Sequence, residues 1–139
     1  MKVSAVMTKS AQTILPDATV EQAAQSMRDH NIGLLPVVED GKVLGIVTDR
    51  DLAIRVLAQG CNPHLTTVRD FMTTEALWCY EDESIFEASK IMEKNHVRRL
   101  IVMSRKHQLA GVLTVTDLAL KFANEKLPGH ILQKVAEPE

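Results

Sequence analysis

Apolar residues in this chain recur in short blocks, and the blocks come in the same order twice. Thr13-Ile14-Leu15 is a brief, partly β-branched run closed by Pro16-Asp17, which predicts a strand ending in a turn. Thr19 and Gln22 then have the spacing of a capping box, with Val20, Ala23, Ala24 and Met27 at helical intervals behind it. Leu35-Pro36-Val37-Val38 and Val43-Leu44-Gly45-Ile46-Val47-Thr48 flank Asp40-Gly41, the pattern of a β-hairpin. A helix over 51–58 follows and stops before Gly60.

A shift of 65 lays this half on the next. Met7-Thr8 falls on Met72-Thr73, Asp17 on Asp82, Ala23 on Ala88, Met27 on Met92, and Leu35 on Leu100. An extra residue in a longer, basic loop at 105–108 changes the shift to 66. Gly45 then falls on Gly111, Thr48 on Thr114, and Asp51-Leu52-Ala53 on Asp117-Leu118-Ala119. Ser84 and Glu87 repeat the capping box, and a helix over 117–126 ends before Leu127-Pro128-Gly129. Each copy therefore predicts strand–helix–strand–strand–helix. Two copies are too few for a solenoid. Each is too small to bury much surface alone, so the halves are expected to pack on each other. The divisions are repeat 1 at 1–62, repeat 2 at 63–126, and a tail at 127–139 that departs from the repeat.

Composition narrows the function. With 45% apolar and 24% charged residues in 139, the chain falls among ordinary globular proteins. A net charge of −2 argues against a general nucleic-acid binder. No apolar run approaches the ~18 residues of a membrane span, and Met1-Lys2-Val3-Ser4 opens no secretory signal. A cytoplasmic protein is expected. Cys61 and Cys79 offer no disulfide framework, and His30, His64, His96, His107 and His130 are scattered without metal-ligand spacing. No nucleophile–base order, Walker loop or dinucleotide fingerprint is present, so neither a catalytic site nor a metal site is expected.

The repeated string resembles the CBS (cystathionine-β-synthase-type) domain. It reads Met7-Thr8, Pro16-Asp17-Ala18-Thr19, Leu35-Pro36-Val37-Val38 and Gly45-Ile46-Val47-Thr48-Asp49-Arg50-Asp51. The second copy has Met72-Thr73, Asp82-Glu83-Ser84 and Gly111-Val112-Leu113-Thr114-Val115-Thr116-Asp117. The stand-alone layout is similar to small bacterial proteins of the hypoxic response group. The resemblance implies an α/β fold of two pseudo-two-fold-related repeats packed as a Bateman module. It also implies a homodimer, and an adenine nucleotide (AMP, ADP or ATP) as ligand. S-adenosylmethionine and NAD are further adenine-bearing candidates.

Residue chemistry suits such a ligand. A carboxylate at a helix start accepts hydrogen bonds from vicinal ribose hydroxyls, and a threonine hydroxyl with free helix N–H groups meets a phosphate. Thr48, Arg50 and Asp51 offer this in the first copy, with Arg50 where the family has a small hydroxyl residue; Thr114, Thr116 and Asp117 offer it in the second. Asp51 and Asp117 also suit plain helix N-caps. By the same resemblance Arg98 and Arg99 complete the Asp51 site against phosphate, where Gly33 and Leu34 bring no charge to the other. The Asp51 site is thus expected to favour phosphorylated ligands. Ile14 and Cys79 are the family-equivalent walls of the adenine slot, or else core. The expected function is a non-catalytic nucleotide-binding regulator or energy sensor acting through a partner protein. A ligand-free interaction module or a metal-binding stress protein is the alternative.

Overall fold

A computed structural model describes residues 1–9 and 11–123 of the chain. A 3₁₀ turn at Val3–Ala5 leads into β1 (Thr8–Lys9). Then come α1 (Val20–His30), β2 (Leu34–Glu39), β3 (Lys42–Thr48) and α2 (Asp49–Asp51), which runs on as a wider π-helical stretch at Leu52–Leu57. The second half has α3 (Val68–Phe71), β4 (Trp78–Tyr80), α4 (Ile85–Asn95), β5 (Arg99–Met103), β6 (Leu109–Thr114) and α5 (Val115–Phe122). The fold is α/β and built twice, as the repeat predicts.

Local chemistry accounts for most boundaries. Gln22 N–H donates to Thr19 Oγ1 at 3.1 Å and Thr19 N–H to Gln22 Oε1 at 3.0 Å, so α1 starts on a complete capping box. It ends at Asn31, which is left-handed at φ 52°. Val20, Ala23 and Met27 form its buried stripe, whereas Ala24 faces solvent despite its apolar character. The predicted box on α4 is only half formed. Ser84 Oγ accepts from Glu87 N–H at 3.1 Å, but the Glu87 carboxylate lies near Lys90 Nζ at 4.0 Å and returns no bond. Asp40 and Gly41 both have positive φ, which matches the twist of the β2–β3 hairpin. The helix expected over 51–58 starts two residues earlier, because Thr48 rather than Asp51 is its cap. That expected over 117–126 starts at Val115, and its stop signal lies outside the described residues, as does the tail at 127–139.

The run Thr13-Ile14-Leu15 is not a strand. Only Ile14 pairs, in a parallel bridge to Val37, with Ile14 N–H donating to Pro36 O and Val38 N–H donating to Ile14 O, both at 3.0 Å. The next bond in one direction needs an N–H from Pro16 and in the other an N–H from Pro36. Proline supplies neither. In the second copy Glu81 and Ile101 stand at these places and donate to Met103 O at 2.9 Å and Leu77 O at 3.2 Å. β4 is therefore a true strand, parallel to β5.

The chain forms two compact units, one from residues 1–9 with the described chain from Leu77 onward, the other from 11–76. This division differs from the sequence repeats at 1–62 and 63–126. β1, in the first repeat by sequence, pairs antiparallel with β6, giving a sheet of order β1-β6-β5-β4. Thr73, in the second repeat by sequence, bridges Ile46 of β3 beside the two-stranded β2-β3 sheet. The core of the first unit includes Val3, Cys79, Ile85, Met92, Leu100, Leu113 and Leu118. That of the other holds Ala23, Met27, Leu35, Val37, Val47 and Val68.

Candidate functional site

Each unit ends its last strand in a threonine that starts a helix. Asp51 N–H donates to Thr48 Oγ1 at 3.2 Å, and Thr48 N–H donates to Asp51 Oδ2 at 2.9 Å. The other unit has the same pair, Asp117 N–H to Thr114 Oγ1 at 3.1 Å and Thr114 N–H to Asp117 Oδ2 at 2.9 Å. Asp51 and Asp117 are thus not N-caps. They are the third helical residues of reciprocal capping boxes, and the threonines are the caps. The bond to the threonine N–H fixes one carboxylate oxygen and thereby aims the other.

The motif glycines make room for a second backbone. A Cβ on Gly45 would lie 2.4 Å from Thr73 O, and one on Gly111 2.4 Å from Thr8 O. This close approach brings the Thr8 hydroxyl to Asp117 Oδ1 at 3.4 Å. No matching bond joins Thr73 to Asp51. Asp117 therefore has hydrogen-bond partners at both oxygens, while Asp51 Oδ1 has none among the described residues.

The free helix N–H groups expected from the sequence are mostly engaged. Around Asp51, Asp49 N–H donates to Gly33 O and Arg50 N–H to Asp49 Oδ1, both at 2.9 Å, so all three leading donors are used. Around Asp117, Val115 N–H donates to Arg98 O at 2.9 Å, and the Thr116 N–H alone has no acceptor among the described residues. Asp49 escaped the sequence reading. Its carboxylate takes the donor a phosphate would use and adds negative charge there; its place directly after the cap was the available signal. Locally, then, the helix start with an open leading donor is the one at Asp117.

Arg98 and Arg99 lie in the same unit as Asp117, with Arg99 paired to Thr114 across β5–β6. Arg98 is exposed and Arg99 half-buried; Arg50 and Thr116 are exposed. Ile14 is half-buried against its core, with backbone N–H and C=O both committed to β2. Cys79 is only 1% exposed and sits within its core. Burial, with the Glu83 carboxylate second, pushes its thiol up to about 12. Such a thiol is not a ready nucleophile. His30, His64, His96 and His107 are exposed, and His130 lies outside the described residues. Among the described residues no three His, Cys, Asp or Glu side chains converge as a metal site. None of the described helices is long and apolar enough to cross a membrane.

Two repeats with Gly-x-x-Thr-x-x-Asp at a strand–helix junction define a CBS pair, and the CBS domain family matches residues 3–58 and 68–124. The chain belongs to that family and is a CBS-pair regulatory module. Among its relatives, CBS domain-containing protein YhcV of Bacillus subtilis (strain 168) is 35% identical over 130 residues, covering 94% of this chain and 91% of the relative. The crystal structure of Hypoxic Response Protein I with two coordinated zinc ions aligns at TM-score 0.76 and 33% identity, over 87% of this chain and 98% of that one. The CBS domain pair of protein MJ0100, in complex with methylthioadenosine and S-adenosyl-L-methionine, aligns at TM-score 0.81 and 28% identity. That alignment covers 91% of this chain and 98% of the other.

Proposed function

We propose that the chain is a non-catalytic sensor that reversibly binds an adenine-bearing ligand, with AMP, ADP and ATP as the leading candidates. The observation that carries the proposal is the helix-start carboxylate, built twice and each time pinned through one oxygen by a threonine N–H. A carboxylate so oriented is matched to a ribose diol. The MJ0100 pair, similar along nearly its whole length, has adenosine derivatives bound, which supports the same ligand class here and adds S-adenosylmethionine to the list.

Calorimetric titration with AMP, ADP, ATP, S-adenosylmethionine, methylthioadenosine and NAD tests it. At least one should bind, and Asp51→Asn or Asp117→Asn should weaken binding about tenfold or more at its own site, since a charged hydrogen bond is worth roughly 1.5–3 kcal/mol. No heat from any of them would leave a ligand-free interaction module. A double-mutant cycle of Asp51→Asn with Arg98→Ala tests whether Arg98 serves the Asp51 ligand. Coupling of less than about 0.5 kcal/mol would remove Arg98 from that role.

Ligand binding acts on a target only if it favours one arrangement of the chain over another. The proposal therefore includes a homodimer and an effector protein, checked by sedimentation with and without ligand. The zinc ions of Hypoxic Response Protein I favour a second reading, a metal-binding module. Elemental analysis of the purified protein decides it, and absence of stoichiometric zinc ends it.

A further inference from the structure

Thr8 and Thr73 fall on each other in the sequence repeat, and the strands they meet hold them in the same register. Thr8 is the partner of Val112 in β6, and Thr73 is bridged to Ile46, the repeat equivalent of Val112. Val112 and Ile46 each stand two residues before a helix cap, Thr114 and Thr48. Their side-chain bonding nevertheless differs. The Thr8 hydroxyl donates to Asp117 Oδ1 at 3.4 Å. Thr73 makes no side-chain hydrogen bond among the described residues, although its N–H donates to Ile46 O at 2.8 Å and its O accepts from Ile46 N–H at 3.0 Å.

The flanking chain differs too. Just before Thr73, Phe71 O accepts from Arg55 Nη1 at 3.0 Å, and the Arg55 guanidinium lies 5.7 Å over the Phe71 ring. In the other copy Val6 and Lys121 stand at these places, and β1 instead pairs once more, Lys9 with Gly111. One threonine–aspartate pair thus occurs in two states, closed at Asp117 and open at Asp51. In both, Oδ2 is committed to the cap N–H, so Oδ1 is the oxygen left to receive a sugar hydroxyl. At Asp117 the Thr8 hydroxyl already occupies it.

We infer that Thr8 is a gate on Asp117: its hydroxyl competes with a ribose hydroxyl for Oδ1, and a ligand's sugar engages that oxygen by displacing it. This rests on the adenine-ligand reading above and adds a regulation of that site. The contact is made to be surrendered. Its 3.4 Å separation exceeds the ordinary ~2.5–3.0 Å of an O–H···O bond, and Thr8 is exposed, so its freed hydroxyl turns to water at little cost. Linkage makes the effect reciprocal: whatever draws Thr8 away from Asp117 raises affinity there, and a bound sugar weakens the hold on Thr8.

Calorimetry in an Asp51→Asn parent isolates the Asp117 site. AMP, S-adenosylmethionine and methylthioadenosine are titrated into that parent and into the same chain carrying Thr8→Val or Thr8→Ser. Thr8→Val keeps the β-branched shape without the hydroxyl and should tighten an adenine ligand about threefold or more. Thr8→Ser keeps the hydroxyl and should match the parent. The gain should be absent with a dideoxyadenosine, which lacks the diol. Thr73→Val in an Asp117→Asn parent should leave affinity unchanged, since that hydroxyl bonds to no aspartate. Equal or weaker binding in Thr8→Val, including none in either form, overturns the gate, and the adenine reading stands wherever wild type still binds. Absence of heat with every adenine ligand in wild type overturns both.

Discussion

Two glycines and one cysteine show how single residues shape this site. Gly45 and Gly111 stand against Thr73 O and Thr8 O, which are backbone atoms that cannot swing aside. Gly45→Ala and Gly111→Ala should therefore each destabilise the protein by about 1–3 kcal/mol, the usual cost of forcing atoms into a packed place, read from urea midpoints. Gly111→Ala should also shift Thr8 away from Asp117. Wild-type stability in both would remove the steric reading of the motif. Cys79 makes a pH prediction. Its folded thiol is pushed up to about 12 from an ordinary 9.0, so the unfolded chain gives up this proton first as pH rises. The stabilising contribution is full below pH 9 and is lost on the way to 12. Urea midpoints between pH 8 and 10.5 should fall more steeply in wild type than in Cys79→Ala, and equal slopes would count against the buried thiol.

At the scale of elements, two prolines decide whether a segment is a strand. Ile14 has apolar, β-branched character suited to pairing, yet its ladder stops after one position because the next donors on either side are Pro16 and Pro36. Ile101→Pro removes the bond to Leu77 O and Glu81→Pro the bond to Met103 O. Each should shorten β4 toward a bridge and cost about 0.5–1.5 kcal/mol for the lost bond, more where the ring clashes. Hydrogen exchange should rise at β4 while β2–β3 keeps its protection; unchanged exchange at β4 would refute the account. The prolines and their replacements were legible in the sequence. Their consequence was not, because it depends on which carbonyl each missing donor would have met. The half-formed box on α4 is similar: spacing identified Ser84 and Glu87, but the carboxylate stands 4.0 Å from Lys90 Nζ and returns no bond.

For the whole molecule, the main result is that compact units and sequence repeats divide the chain differently. β1 completes the sheet of β6, β5 and β4, and Val3 is fully buried in that unit's core. Removing residues 1–9 should thus loosen the unit that begins at Leu77, not the one at 11–76 to whose repeat those residues belong. Exchange should accelerate in β6 and α4 and stay slow in β2 and β3, as read by peptide-resolved mass spectrometry. The reverse pattern would contradict the division. The same exchange of segments delivers Thr8 to Asp117 and gives the two helix starts different hydrogen bonding.

The sequence by itself determined the repeat, the family, the β2–β3 hairpin and the long helices α1 and α4, because these depend on periodicity and nearest-neighbour chemistry. The Thr19–Gln22 box and the Asp40-Gly41 turn are contacts within four residues and formed where spacing placed them, while the Ser84–Glu87 box formed only in half. Only the tertiary structure decided that β1 joins a sheet more than a hundred residues away, that Cys79 is core, and that Thr116 keeps its donor open while Asp49 closes the equivalent one. Those outcomes turn on which distant backbone arrives beside each polar group, and a hydrogen bond forms only with the partner that packing brings within reach.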